Sequence, residues 1–160
     1  PKSSQNLLSQ QRMNTALQNA LERHYGSMFR QVRSKTSATV EGIVISGSGL
    51  NKALEHYPAE EMIDLHEIEG FPKPTVKGHS SFLRIVEIEG KRVAHYTGRC
   101  HLYEGFTLQE SLAQIALGKL LGAGFTVLTN SAGGMHHSYT AGDIMLITDT
   151  LNLMLRPVQR

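Results

Sequence analysis

The sequence predicts an α/β fold, a mixed and mostly parallel sheet flanked by helices, and three observations predict it. Segments of helical periodicity alternate with short apolar runs rich in β-branched residues. Those runs lead directly into glycine turns, as strands do at the open edge of a sheet. Two of them flank Gly90 and Lys91, which makes one pairing an antiparallel hairpin. A chain of 160 residues with 40% hydrophobic content can bury about 70% of its unfolded surface. No repeat, linker or low-complexity stretch divides it, so residues 1–160 are expected to form a single domain.

The first element is a helix over about residues 6–32, where Met13, Leu17, Leu21, Tyr25, Met28, Phe29 and Val32 recur at helical spacing and should pack on the body. TVEGIVIS, residues 39–46, reads as a short buried strand entering the turn of Gly47, Ser48 and Gly49, with a brief helix over residues 50–56 behind it. FPKPTVKGH, residues 71–79, carries two prolines and a glycine, which makes it an extended loop. Residues 82–89 and 92–97 are the hairpin strands. Thr107 and Glu110 are spaced for a capping box. The helix they open has Leu108, Leu112, Ile115, Ala116 and Leu120 on its apolar face and ends at Gly122 or Gly124. Residues 125–129 are a further buried strand entering the turn NSAGG, residues 130–134, and residues 144–148 are the last strand.

Composition excludes several classes of function. The formal net charge is +2 with both signs interspersed, which leaves no electrostatic footprint of nucleic acid or of a membrane surface. Cys100 is the single cysteine and has no internal disulfide partner, in keeping with a reducing compartment. No apolar run approaches a membrane span and the polar start is unlike a signal peptide. These features lead to the expectation of a soluble cytoplasmic protein.

Chemistry concentrates in one octet, GRCHLYEG, residues 98–105. Ligands of open α/β sheets bind where loops leave the carboxyl ends of strands, and SGSG at 46–49, the octet and NSAGG are candidates for that position. Their glycines let backbone N–H groups approach an anion. Arg99 can grip a phosphate bidentately, His101 can add a hydrogen bond, Ser48 offers a hydroxyl, and Glu104 lies three residues after His101, close enough to orient its ring. Tyr103 offers an apolar plate with a hydroxyl, suited to a sugar. Duller readings stand beside these: a glycine-serine turn, an ordinary Arg99–Glu104 surface ion pair, and His79 as a loop cap. His136 and His137 are adjacent and point apart on regular structure, so no metal is expected. Residue chemistry alone reaches an anion site.

The pattern G-R-x-H-x-Y-E-G of the octet resembles the signature of the trimeric type of purine nucleoside phosphorylase. At about 5% usage per position, six fixed positions match by accident on the order of once in 10⁸ windows. GSGL at 47–50, FP-x-x-TV-x-GH at 71–79, TN-x-AGG at 129–134 and GDIMLI at 142–147 resemble the family's other landmarks in order.

The resemblance spans about residues 40–153 and implies a nucleoside-phosphorylase-like fold lacking the family's C-terminal half. It also implies phosphorolysis of purine nucleosides to free base and ribose 1-phosphate. Inorganic phosphate is then the co-substrate, with no cofactor, and the assembly is a homotrimer. By the same resemblance Ser48, His79, Arg99, His101 and Ser131 hold phosphate, His101 and Glu104 are the catalytic pair, Tyr103 contacts the ribose, and Ser131, Ala132 and Gly133 line the base. Two alternatives stay open: a truncated phosphate-binding relative without turnover, and a sister phosphorylase acting on methylthioadenosine.

Overall fold

A computed structural model describes residues 2–47, 50–73, 81–151 and 153. Its elements in order are α1 (Lys2–Lys35), β1 (Gly42–Ser46), β2 (Ala59–Asp64), β3 (Phe82–Ile88), β4 (Lys91–Thr97), α2 (Leu108–Leu120) and β5 (Phe125–Leu128). Single 3₁₀ turns lie at Asn51–Leu54, Leu65–Glu67 and Leu102–Glu104.

The five strands form one mixed sheet in the order β2-β3-β4-β1-β5. β1 runs parallel to both β4 and β5, while β3 pairs antiparallel with β2 and β4. The alternation of helix and strand and the hairpin are therefore as the sequence predicts. The hairpin turn sits one residue earlier than expected, on Glu89 and Gly90, whose φ values of 50° and 72° are both positive, as a type I′ turn requires.

One core joins the sheet to both helices. Ile43 and Ile45 of β1, Leu83 and Ile85 of β3, and Ala94 and Tyr96 of β4 meet Tyr25 and Val32 of α1 and Ala113, Ala116 and Leu117 of α2. The α2 capping box is present: Thr107 N–H donates to Glu110 Oε2 at 2.7 Å and Glu110 N–H donates to Thr107 Oγ1 at 3.2 Å. The helix stops at Leu120 and Gly122 follows with φ 113°, which selects Gly122 over Gly124 as its end.

Four expectations are corrected. The first half of α1 does not pack, since Met13 and Leu17 remain 60% and 49% exposed. The body reaches only the second half, where the Tyr25 hydroxyl donates to Gln109 O at 2.8 Å. The buried face of α2 is made of Ala113, Gln114, Ala116, Leu117, Gly118 and Leu120, leaving Leu108 and Leu112 exposed. Close approach to the sheet selects small residues there, and a methyl on Gly118 would overlap Ile43. β5 is exposed along its length because it is the last strand of the sheet. Residues 144–148 form no strand and Ile144 is 95% exposed, for among the described residues no strand pairs with them.

β2 is an element that the pattern did not signal. Its sequence AEEMID alternates poorly and its Met62 points outward at 63% exposure, as suits a charged edge strand. Of the loop FPKPTVKGH, residues 74–79 lie outside the described residues. Among the described residues no helix is long and apolar enough to cross a membrane.

Candidate functional site at three strand ends

Because β1 lies between β4 and β5 and runs parallel to both, the carboxyl ends of the three strands lie on one edge of the sheet. The octet leaves β4, the Gly47 turn leaves β1, and NSAGG leaves β5, so the topology alone brings the three candidate loops together.

Thr129, immediately after β5, ties them. Its N–H donates to Ile45 O at 3.1 Å, its Oγ1 accepts from Gly47 N–H at 3.0 Å, and its carbonyl accepts from Arg99 Nη1 at 3.2 Å. Gly47 is needed for this approach, since a Cβ there would overlap the Thr129 carbonyl oxygen and lie 3.1 Å from Asn130 Cα.

The octet folds on itself. Gly98 and Gly105 at its ends have φ of 112° and 93°, which turns the chain back on both sides of a single 3₁₀ turn. Glu104 Oε1 lies 2.8 Å from His101 Nδ1 and also accepts from the His101 backbone N–H at 3.3 Å. An ionised carboxylate only accepts, so Nδ1 carries the ring proton. On the other side of the ring, Arg99 Nε donates to His101 Nε2 at 3.3 Å, which makes Nε2 the acceptor and the imidazole neutral. The Glu104 side chain is 5% exposed, and its bond to His101 replaces the surface ion pair with Arg99 as its structural role.

Tyr103 stacks on the His101 ring at 4.7 Å and 18° while its side of the turn stays open at 78% exposure. Among the described residues Arg99 donates to a carbonyl and to the acceptor nitrogen of an imidazole, neither of which carries the negative charge that would neutralise its guanidinium.

Within the octet, Cys100 is buried, with Sγ 3.7 Å from Pro72 O. Burial, with the Glu104 and Glu110 carboxylates adding to it, pushes its thiol up to about 11. Gln114 of α2, also buried, donates from Nε2 to Gly98 O at 2.8 Å and so fastens the start of the octet to the helix.

Ser48 and His79 lie outside the described residues. Arg99, His101, Tyr103 and Glu104 are brought together. Ser131, Ala132 and Gly133 follow Thr129 after Asn130 and are exposed. His136 and His137 do not point apart as expected: they lie in an irregular segment, their rings stack at 4.4 Å, and His136 Nδ1 is 2.7 Å from Ser138 Oγ. Sequence reasoning missed Thr129 and Gln114. TN-x-AGG flagged the position of Thr129, but only the parallel pairing of β1 and β5 gives its side chain and carbonyl their partners.

Fold and site together define an α/β protein with Arg99, His101, Glu104 and Thr129 gathered at the carboxyl edge of a parallel strand trio. Residues 41–158 match the model of the Phosphorylase superfamily, and the chain belongs to that superfamily. It is 39% identical over 110 residues, 69% of its length, to purine nucleoside phosphorylase of Mus musculus. It is 35% identical over 111 residues, again 69% of its length, to purine nucleoside phosphorylase 1 of Bacillus subtilis.

These matches cover 38% and 41% of the two relatives, so the chain spans about two fifths of the length of the curated proteins it matches. A crystal structure of purine nucleoside phosphorylase in complex with ribose 1-phosphate superposes with a TM-score of 0.69 at 32% identity, covering 76% of this chain and 45% of that one. The Schistosoma mansoni enzyme in complex with inosine superposes at 0.65 and 29% identity, covering 76% and 42%.

Proposed function

We propose that the protein carrying this chain is a pentosyltransferase that cleaves purine nucleosides with inorganic phosphate, releasing the free base and ribose 1-phosphate. The observation that carries this reading is the meeting of Arg99, His101 and Gly47 at Thr129, on the strand edge where the acceptors of the Arg99 guanidinium among the described residues carry no charge and a phosphate would supply one. It is supported by relatives named purine nucleoside phosphorylase and by the ribose 1-phosphate in a structure of similar fold.

In this reading Arg99 turns from His101 and Thr129 to the phosphate, where each charge-assisted hydrogen bond contributes about 1.5–3 kcal/mol. His101, held by Glu104, presents Nε2 to the same anion and accepts an O–H from its protonated form. Ser48, His79 and the Ser131 amide complete the cradle, Tyr103 faces the ribose, and Ser131, Ala132 and Gly133 border the base.

As the glycosidic bond lengthens, positive charge builds on the sugar, and a fixed phosphate beneath it both stabilises that charge and supplies the nucleophile. A phosphate oxygen bonds to the anomeric carbon, the bond to the purine nitrogen breaks with its electron pair going to the base, and the proton given up by phosphate ends on the base. No cofactor takes part, and the assembly is a cytoplasmic homotrimer.

The test is release of hypoxanthine from inosine with orthophosphate varied. The reading predicts release that saturates with phosphate and yields ribose 1-phosphate in equal amount. Release without phosphate contradicts it. Phosphate binding without turnover selects the truncated-relative reading instead, and turnover of methylthioadenosine alone selects the sister enzyme.

A further inference from the structure

The buried face of α2 carries one polar side chain, Gln114, among Ala113, Ala116, Leu117, Gly118 and Leu120. Gln114 is 6% exposed. A side-chain amide is costly to bury unless it is hydrogen-bonded, and this one reaches across 16 residues of sequence to Gly98 O at 2.8 Å. A carbonyl only accepts, so the NH₂ end of Gln114 faces it.

The place of that carbonyl gives the bond its meaning. The paired register of β4 with β1 ends at Thr97, opposite Ser46. Gly98 is the next residue, buried and with φ 112°, and it takes the chain out of the strand. Its carbonyl is therefore satisfied from α2 instead of from the sheet.

Arg99 follows at once. It is half-buried between the buried Gly98 and Cys100, and Cys100 Sγ lies 3.7 Å from Pro72 O. The backbone is thus held on both sides of Arg99, by the helix amide before it and by the buried thiol after it. From that pivot the guanidinium reaches Thr129 O at 3.2 Å and His101 Nε2 at 3.3 Å. Both lie at the long end of the hydrogen-bond range, so the placement of the guanidinium depends strongly on where the backbone holds its Cα.

We propose that Gln114 is a positioning residue that fixes the Arg99 backbone from α2 and thereby sets how tightly the guanidinium holds phosphate. This rests on the phosphorolysis reading for Arg99 as the ligand of the anion, and on the hydrogen bonds alone for the anchoring. Gln114 acts through Arg99 and is not itself a ligand.

The test is a double-mutant cycle in the full-length protein. Gln114→Met keeps an unbranched side chain and drops the donor. It should raise the KM for phosphate about five- to tenfold while kcat and the nucleoside KM stay within about twofold, because only the preorganisation of Arg99 is lost. In the Arg99→Met background the same change should alter the phosphate KM by less than about twofold, since a residue acting through Arg99 then has nothing to position. Gln114→Leu, which also lacks the donor, should follow Gln114→Met in both backgrounds. Gln109→Met removes an exposed amide of the same helix and should leave both KM values unchanged.

An unchanged phosphate KM in Gln114→Met overturns the proposal. So does an equal rise in the two backgrounds or in both substrates' KM, either of which marks a general loss of structure. Independently of turnover, solvent exchange of the Arg99 Nε–H, followed by ¹⁵N NMR, should be at least about fivefold faster in Gln114→Met than in wild type. Equal exchange rates overturn the anchoring. If wild type shows no phosphate-dependent turnover, the phosphorolysis reading fails by itself, and the exchange rates still decide the anchoring.

Discussion

At the scale of single residues, two buried titratable groups make the environment of the cradle measurable. Cys100, with its thiol pushed up to about 11, is almost wholly protonated at pH 8, where an ordinary cysteine is partly thiolate. Its reaction with a disulfide reagent at pH 8 is expected to be at least about a hundredfold slower in the native protein than in denaturant. Equal rates would place the thiol at the surface.

His95 is held down to about 4 against the ordinary 6.5, so between those values the unfolded chain binds a proton that the native chain refuses. Stability is therefore full above pH 6.5 and falls as pH drops toward 4, by about 3 kcal/mol for this one group. The pH dependence of unfolding, wild type minus His95→Gln, should show that slope. A flat difference would mean that His95 titrates normally.

At the scale of elements, the capping box and parallel pairing account for where the octet sits. Thr107→Ala removes the N-cap of α2 and should lower stability by about 0.5–2 kcal/mol in chemical denaturation. Because Gln114 of the same helix holds Gly98 O, the loss should be accompanied by faster amide exchange in residues 98–105. Unchanged exchange there would detach the octet from the helix.

The legibility of the fold follows the same division. Local rules placed α1, β1, the β3–β4 hairpin and α2, because helical period, β-branched runs and the Thr107–Glu110 spacing are properties of short stretches. They missed β2, whose glutamates hide an edge strand. They also called β5 and residues 144–148 buried strands, since apolarity shows that a segment wants cover without showing whether it finds any. In the site, Arg99, His101, Tyr103 and Glu104 were legible because they share one turn. Thr129, and the row in which His95 of β4 meets Ser46 Oγ of β1 at 2.8 Å and Arg84 Nη1 of β3 at 3.3 Å, were not, because their partners lie on other strands and are neighbours only through register.

At the scale of the whole molecule, the described residues leave apolar surface exposed in two places. Met135, Ile144, Leu146 and Leu151 are between 84% and 100% exposed. A groove of about 340 Å³ between α1, α2 and β5 is lined by Leu17, Leu21, Leu112, Ile115 and Phe125. Contiguous apolar patches beyond a few hundred Å² mark surfaces that associate. The 160-residue chain is therefore expected to bind a hydrophobic dye and to associate with rising concentration in light scattering, both reduced by replacing Ile144 and Leu146 with aspartate. A monodisperse monomer without dye binding would contradict this distribution of apolar surface.

The account as a whole turns on a single anion held where three strands end. Calorimetric titration of orthophosphate into wild type and into Arg99→Met, with the His136→Ala/His137→Ala double variant as control, tests it most directly. The predicted result is one phosphate per chain, an affinity about 10- to 100-fold weaker in Arg99→Met, and no change in the control. Equal phosphate affinity in wild type and Arg99→Met would contradict it.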